Sequence, residues 1–87
     1  MVRFTGQVRY WRPEASSGLA VIDVPDALVP ALGGRRQRRV SGNLGGAPFA
    51  GSTMLVAGGG FCVGVSQAAL RKAGLEVGDA VEVELDA

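Results

Sequence analysis

Polar and apolar residues alternate from Val2 to Tyr10: Val2, Phe4, Val8 and Tyr10 fall on one face, and Arg3, Thr5, Gln7 and Arg9 on the other. A period of two predicts a half-buried β-strand. Gly6 interrupts the apolar row and predicts a bend or bulge, as barrels use at corners. Arg12 to Ser17 reads as a turn around Pro13, and Gly18 to Val24 as an apolar strand covered on both sides. Pro25 pre-sets the first turn of a short helix, and Pro30 cannot lie deep inside one, so one or two turns ending at Gly33-Gly34 are expected.

The same logic continues downstream. Arg35 to Leu44 is expected as a strand with a charged first half, Gly45-Gly46 as a tight hairpin, and Ala47 to Ala57 as the returning strand. Gly58-Gly59-Gly60 makes a corner before a buried strand, Phe61 to Val65. Ser66 is placed to cap a helix whose apolar stripe is Val65, Ala69, Leu70 and Ala73. Arg71 and Lys72 suit its negative end, and Gly74-Leu75 suits a Schellman stop. In the last strand Val81, Val83 and Leu85 point inward, and Glu82 and Glu84 outward.

The two halves echo each other. At a spacing of 41 residues Val24 matches Val65, Ala27 matches Ala68, Gly33 matches Gly74, Val40 matches Val81 and Leu44 matches Leu85. Pro25 and Ser66 fall at equivalent helix entries. The expectation is one domain over residues 1–87, mainly β with short helices, built from two β-β-α-β copies, roughly 5–44 and 46–85. Each copy alone is too small to hold a core, so the two share one barrel or sandwich.

Composition narrows the classes. The chain has 87 residues and a net charge of +1, which gives no global argument for nucleic acid or membrane. The charge is uneven: Arg35, Arg36, Arg38 and Arg39 cluster mid-chain, and Glu76, Asp79, Glu82, Glu84 and Asp86 near the end. One cysteine excludes an internal disulfide and fits a reducing compartment. No apolar run approaches ~20 residues, and the opening residues carry no signal region, so a soluble cytoplasmic protein is expected. With no histidine in the chain, Cys-His and Ser-His mechanisms are excluded.

PFAGSTM, a glycine corner, a strand and then ALRKAGLEVGDAVEVEL together resemble a bacterial family of unknown function, the small domain found alone or at the front of YdeI/OmpD-associated proteins. The resemblance runs from Phe4 to Leu85 and is most specific at Arg71-Lys72, Gly78-Asp79, Val81 and Val83. Gly45-Gly46 replaces the family's usual Asn-Gly hairpin, and a proline common before the glycine corner is missing. The resemblance implies a double-split β-barrel with pseudo-two-fold symmetry, of AbrB/MazE-like architecture. It implies no established activity and no catalytic residues.

Two candidate sites emerge. Tyr10, Trp11 and Arg12, with Phe49, are expected to form a barrel-end cleft for a small molecule or peptide, because a tryptophan beside arginine at a strand end can stack a ring. The alternative is nucleic-acid binding through Arg35, Arg36, Arg38 and Arg39, whose planar forks suit phosphate oxygens. Against that, Arg38 and Arg39 are expected to face Glu82 and Glu84 as cross-strand charge pairs, either within one chain or across a homodimer. Glu76 and Asp79 are the carboxylates a histidine-free enzyme of a secondary pathway would use. Gly58-Gly59-Gly60 lacks a following Gly-Lys-Ser/Thr and is no P-loop, and Cys62 reads as a small buried hydrophobe. The expectation is a binding module, with no metal, no cofactor and no membrane contact.

Overall fold

The alternation at the start of the chain becomes β1 (Val2–Tyr10), whose even-numbered residues Val2, Phe4 and Val8 are buried. The computed structural model describes residues 2–11, 19–56 and 59–86. In it β1 is joined by β2 (Ala20–Asp23), β3 (Arg39–Leu44), β4 (Ala47–Val56), β5 (Gly60–Val65) and β6 (Ala80–Leu85). All pairings are antiparallel, and the strands close into a barrel in the order β1-β2-β5-β4-β3-β6. Two single 3-10 turns, Asp26–Leu28 and Pro30–Leu32, lead from β2 towards β3, and α1 (Gln67–Ala73) lies between β5 and β6.

The core is the barrel interior. Inward side chains from every strand, among them Phe4, Ile22, Val40, Phe49, Val63 and Val83, form one cluster. Val29 and Leu32 from the 3-10 segment and Leu70 from α1 add to it. Leu44 and Leu85 have no exposed surface, so truncating either to alanine costs about 2–5 kcal/mol.

The helices stop where local chemistry stops them. Pro25 precedes the 3-10 segment, which ends at Gly33 with φ 86°. The Ser66 hydroxyl accepts from the Ala69 N–H at 3.0 Å, and Gly74 ends α1 with φ 71°. The Leu75 N–H donates to the Leu70 carbonyl at 2.9 Å, the long bond of a Schellman stop. Gly45 and Gly46, at φ 54° and 90°, make the β3–β4 hairpin.

Exchanging β1 with β4, β2 with β5 and β3 with β6 leaves the list of neighbouring strands unchanged. The registers obey the same exchange: Gly42 lies opposite Leu85 and Leu44 opposite Val83. Under it Val40 corresponds to Val81, a spacing of 41, but Phe4 corresponds to Phe49, a spacing of 45. The uniform spacing read from the sequence does not reach the two long strands, because the β1–β2 connection is longer than the β4–β5 one.

Three expectations about elements are corrected. Gly6 makes no bulge: its register with β6 runs on unbroken from Val2 to Gln7. A Cβ built there would collide with Cγ2 of Ile22, so the glycine makes room for the core. β3 begins at Arg39, not Arg35: Arg38 still accepts the Thr53 backbone N–H, but its own N–H and the Arg36 carbonyl turn to the Thr53 hydroxyl and not to a strand partner. The strand expected from Gly18 is β2, Ala20–Asp23, with Val21 and Ile22 both buried. The turn expected at Arg12–Ser17 lies outside the described residues, as does Gly58, while Gly59 has φ 96°.

Candidate anion-binding face

Between the end of the 3-10 segment and the start of β3 the chain carries Gly33-Gly34-Arg35-Arg36-Gln37-Arg38. Arg35 turns back: its Nη2 donates to Asp26 Oδ1 at 2.9 Å and its Nε to the Gly59 carbonyl at 3.1 Å. Its charge is therefore partly answered, although the pair is exposed and contributes little.

Arg36 and Arg38 behave differently. Nη2 of Arg36 and Nη1 of Arg38 lie 3.3 and 3.4 Å from the point where a Cβ on Gly33 would stand. Two guanidinium groups thus converge over one glycine. Among the described residues no carboxylate forms an ion pair with Arg36, Arg38 or Arg39. The Arg38 Nε is buried and has no hydrogen-bond partner. Converging planar cations are what an oxyanion such as phosphate or carboxylate is held by.

The expected pairing of Arg38 and Arg39 with Glu82 and Glu84 is not formed. β3 and β6 do lie side by side, but Gly42 is opposite Leu85, so β6 ends before it reaches Arg39. Arg39 faces Ser52 of β4 instead. The acids are taken by β1: Nη2 of Arg3 donates to Glu84 Oε2 at 2.6 Å, and its Nε lies 3.4 Å from Glu82. Hydrogen bonding to Glu84, then the charges of Glu84 and Glu82, raise the Arg3 pKa.

Of the residues expected at the barrel-end cleft, Tyr10, Trp11 and Phe49 are among those described. Tyr10 and Trp11 are half-buried at the end of β1, and the Trp11 N–H donates to the Leu19 carbonyl at 2.9 Å. Arg12 lies outside the described residues. Phe49 sits in the inner wall of β4, 8% exposed, opposite Gly42 and with its ring against Gly51. Most of its ring is occupied by the core. No enclosed pocket is found among the described residues.

A second charged cluster lies on the outer wall. Arg9 clamps Asp23 with two bonds, Nε to Oδ2 at 2.7 Å and Nη2 to Oδ1 at 2.8 Å. That hydrogen bonding holds the Asp23 carboxyl below its ordinary range, against an opposing push from burial. Cys62, opposite Asp23 on β5, is fully buried, and desolvation first, then the Asp23 charge, pushes its thiol up to about 11. Such a thiol is no nucleophile.

Glu76 and Asp79 are exposed, and Asp79 accepts the Glu76 N–H at 2.9 Å, which closes the turn after α1. No three metal-ligating side chains converge among the described residues, and no helix there is long and apolar enough to cross a membrane. Thr53 was not singled out from the sequence. A lone hydroxyl in the inward row of β4, after Phe49 and Gly51, was the available signal.

Residues 4–85 match the model of a family described as Domain of unknown function (DUF1905). The chain belongs to this family. The match spans all six strands apart from the first two residues of β1. No curated protein matches the chain.

Proposed function

We propose that this DUF1905 chain is a non-catalytic binding module that takes a small molecule through a phosphate or similar oxyanion held by Arg36 and Arg38. The convergence of their guanidinium groups over Gly33, with no carboxylate in reach among the described residues, carries the reading. Like charges held together raise one another's energy unless an anion joins them, so ligand binding relieves a repulsion built into the free protein. Tyr10, Trp11 and Arg12 remain candidates for contacts to the ligand's other parts, and Phe49 supports the wall from inside. Binding is preferred to catalysis because the chain has no histidine and its turn carboxylate Asp79 is engaged in capping.

The test is calorimetric titration of the full chain with orthophosphate and with a phosphomonoester. Arg36→Gln and Arg38→Gln should each weaken binding by about tenfold or more, since each removes a charge-assisted contact. Equal affinity in all three proteins would sink the proposal.

A second reading is nucleic-acid binding, favoured by Arg39, which is exposed and likewise lacks an ion-pair partner among the described residues. Three free arginines on a duplex predict a slope of log affinity against log salt of about −2.7. That slope, lost in an Arg36/Arg38/Arg39→Gln variant, would favour the nucleic-acid reading over the small-molecule one.

The wider setting is also part of the proposal: one domain over 1–87, a double-split barrel of AbrB/MazE-like architecture, working in a bacterial cytoplasm alone, as a homodimer, or in front of a YdeI/OmpD-associated module. The exchange symmetry of the strand pairing supports the architectural part.

A further inference from the structure

We infer that Thr53 is the positioning residue of the arginine pair, an inference that rests on the anion-binding reading above. Among the described residues Thr53 is the only buried polar side chain, with no exposed surface. Its hydroxyl both accepts and donates. Oγ1 accepts the Arg38 N–H at 3.0 Å and donates to the Arg36 carbonyl at 2.8 Å. One hydroxyl therefore grips the backbone on both sides of Gln37.

The pseudo-symmetric half of the barrel shows what this hydroxyl replaces. Thr53 corresponds to Val8, which is equally buried, so packing at this position needs no polar atom. The backbone bond is shared: the Thr53 N–H donates to the Arg38 carbonyl at 2.8 Å, and the Val8 N–H to the Asp79 carbonyl at 2.9 Å. Beyond it the halves diverge. Around Val8 the chain turns through Gly78 at φ 102°, and the Gly78 N–H donates to the Val8 carbonyl. Around Thr53 the corresponding residue is Gln37, with no positive φ, and the side-chain hydroxyl makes the closing bonds instead.

The consequence is directional. In an extended stretch residues two apart project to the same side, and Arg36 and Arg38 do place their guanidinium groups together over Gly33. Gripping the backbone at Arg36 and Arg38 sends both guanidinium groups towards Gly33, whereas a glycine turn like that at Gly78 would aim them apart. At this corner the halves thus part company, Thr53 with Gln37 on one side and Val8 with Gly78 on the other, and present a cation pair and an acid-capped turn respectively.

The test pairs Thr53→Val, which installs the residue its mate already has, with Thr53→Ser, which keeps the hydroxyl. The probe is orthophosphate, titrated into the full chain and read by calorimetry and by the Arg36 and Arg38 side-chain Nε–H resonances. Thr53→Val should weaken binding by about tenfold with the amide spectrum of the barrel retained, and Thr53→Ser should stay near wild type. Wild-type affinity in a folded Thr53→Val protein would overturn the inference while leaving the anion site standing. No phosphate binding by wild type, or binding indifferent to Arg36→Gln, would overturn the site and this inference together. Should Thr53→Val fail to fold, Thr53→Cys, of similar size and with a much weaker donor, replaces it under the same criteria.

Discussion

Phe4 and Phe49 occupy corresponding positions on β1 and β4, and each lays Cε2 of its ring against the glycine two residues further on. A Cβ built on Gly6 would stand 3.3 Å from the Phe4 ring, and one on Gly51 would stand 3.4 Å from the Phe49 ring. The same Cβ atoms would run into Ile22 at Gly6 and the Gly64 carbonyl at Gly51. Each glycine is thus a notch that seats an aromatic ring in the barrel wall.

Gly6→Ala and Gly51→Ala should therefore both destabilise the barrel by about 1–3 kcal/mol, the usual cost of overpacking. Gly51→Ala should be the worse of the two, because its collision is with backbone, which yields less than the Ile22 methyl. Urea denaturation of the two variants gives the comparison directly; an unchanged midpoint in either would contradict the notch.

Acid should weaken the protein through Asp23. Its folded-state pKa lies below the ordinary value of about 4, because Arg9 hydrogen-bonds the ionised form. The stabilisation is then present above the unfolded pKa and lost as pH falls through the lower folded one. Thermal melts from pH 6 down to pH 2 should show a loss that is shallower in Asp23→Asn. Parallel curves for the two proteins would argue against this role for the pair.

Cys62 should resist thiol reagents in the native state. It is fully buried, and its pKa is pushed up to about 11. A disulfide reagent at pH 8 should react at the rate of unfolding and no faster. The same shift makes stability fall as pH rises from about 9 towards 11, since the unfolded chain loses the proton first. Rapid labelling without unfolding would show that the outer wall opens over β5.

Much of this fold was legible because its devices are local. Alternation at Val2–Val8, the Ser66 cap, the Gly33 and Gly74 stops and the Gly45-Gly46 hairpin all depend on neighbours within a few residues. The matches Val40 with Val81 and Leu44 with Leu85 fall on buried positions of paired strands. The correspondence of Phe4 with Phe49 was hidden by unequal connections, which shift it away from the spacing that the other matches share. The charge partners were hidden for a different reason. Which acid meets which arginine depends on the β3–β6 register, and alternation fixes the face of a strand but not how far it slides past its neighbour. The arginine pair itself depends on a hydroxyl on β4, distant in sequence, so the Arg35–Arg39 run alone could not tell a bundled patch from a directed one.

The ring of six strands has one more consequence. Every strand has two neighbours, but the two long strands change partner part-way: β1 pairs with β6 over residues 2–7 and with β2 over residues 8–10, and β4 pairs with β3 over residues 47–52 and with β5 over residues 52–56. A partner that adds a strand would therefore have to use the singly paired parts of β1 and β4, whereas one read by side chains can use the whole wall and its ends.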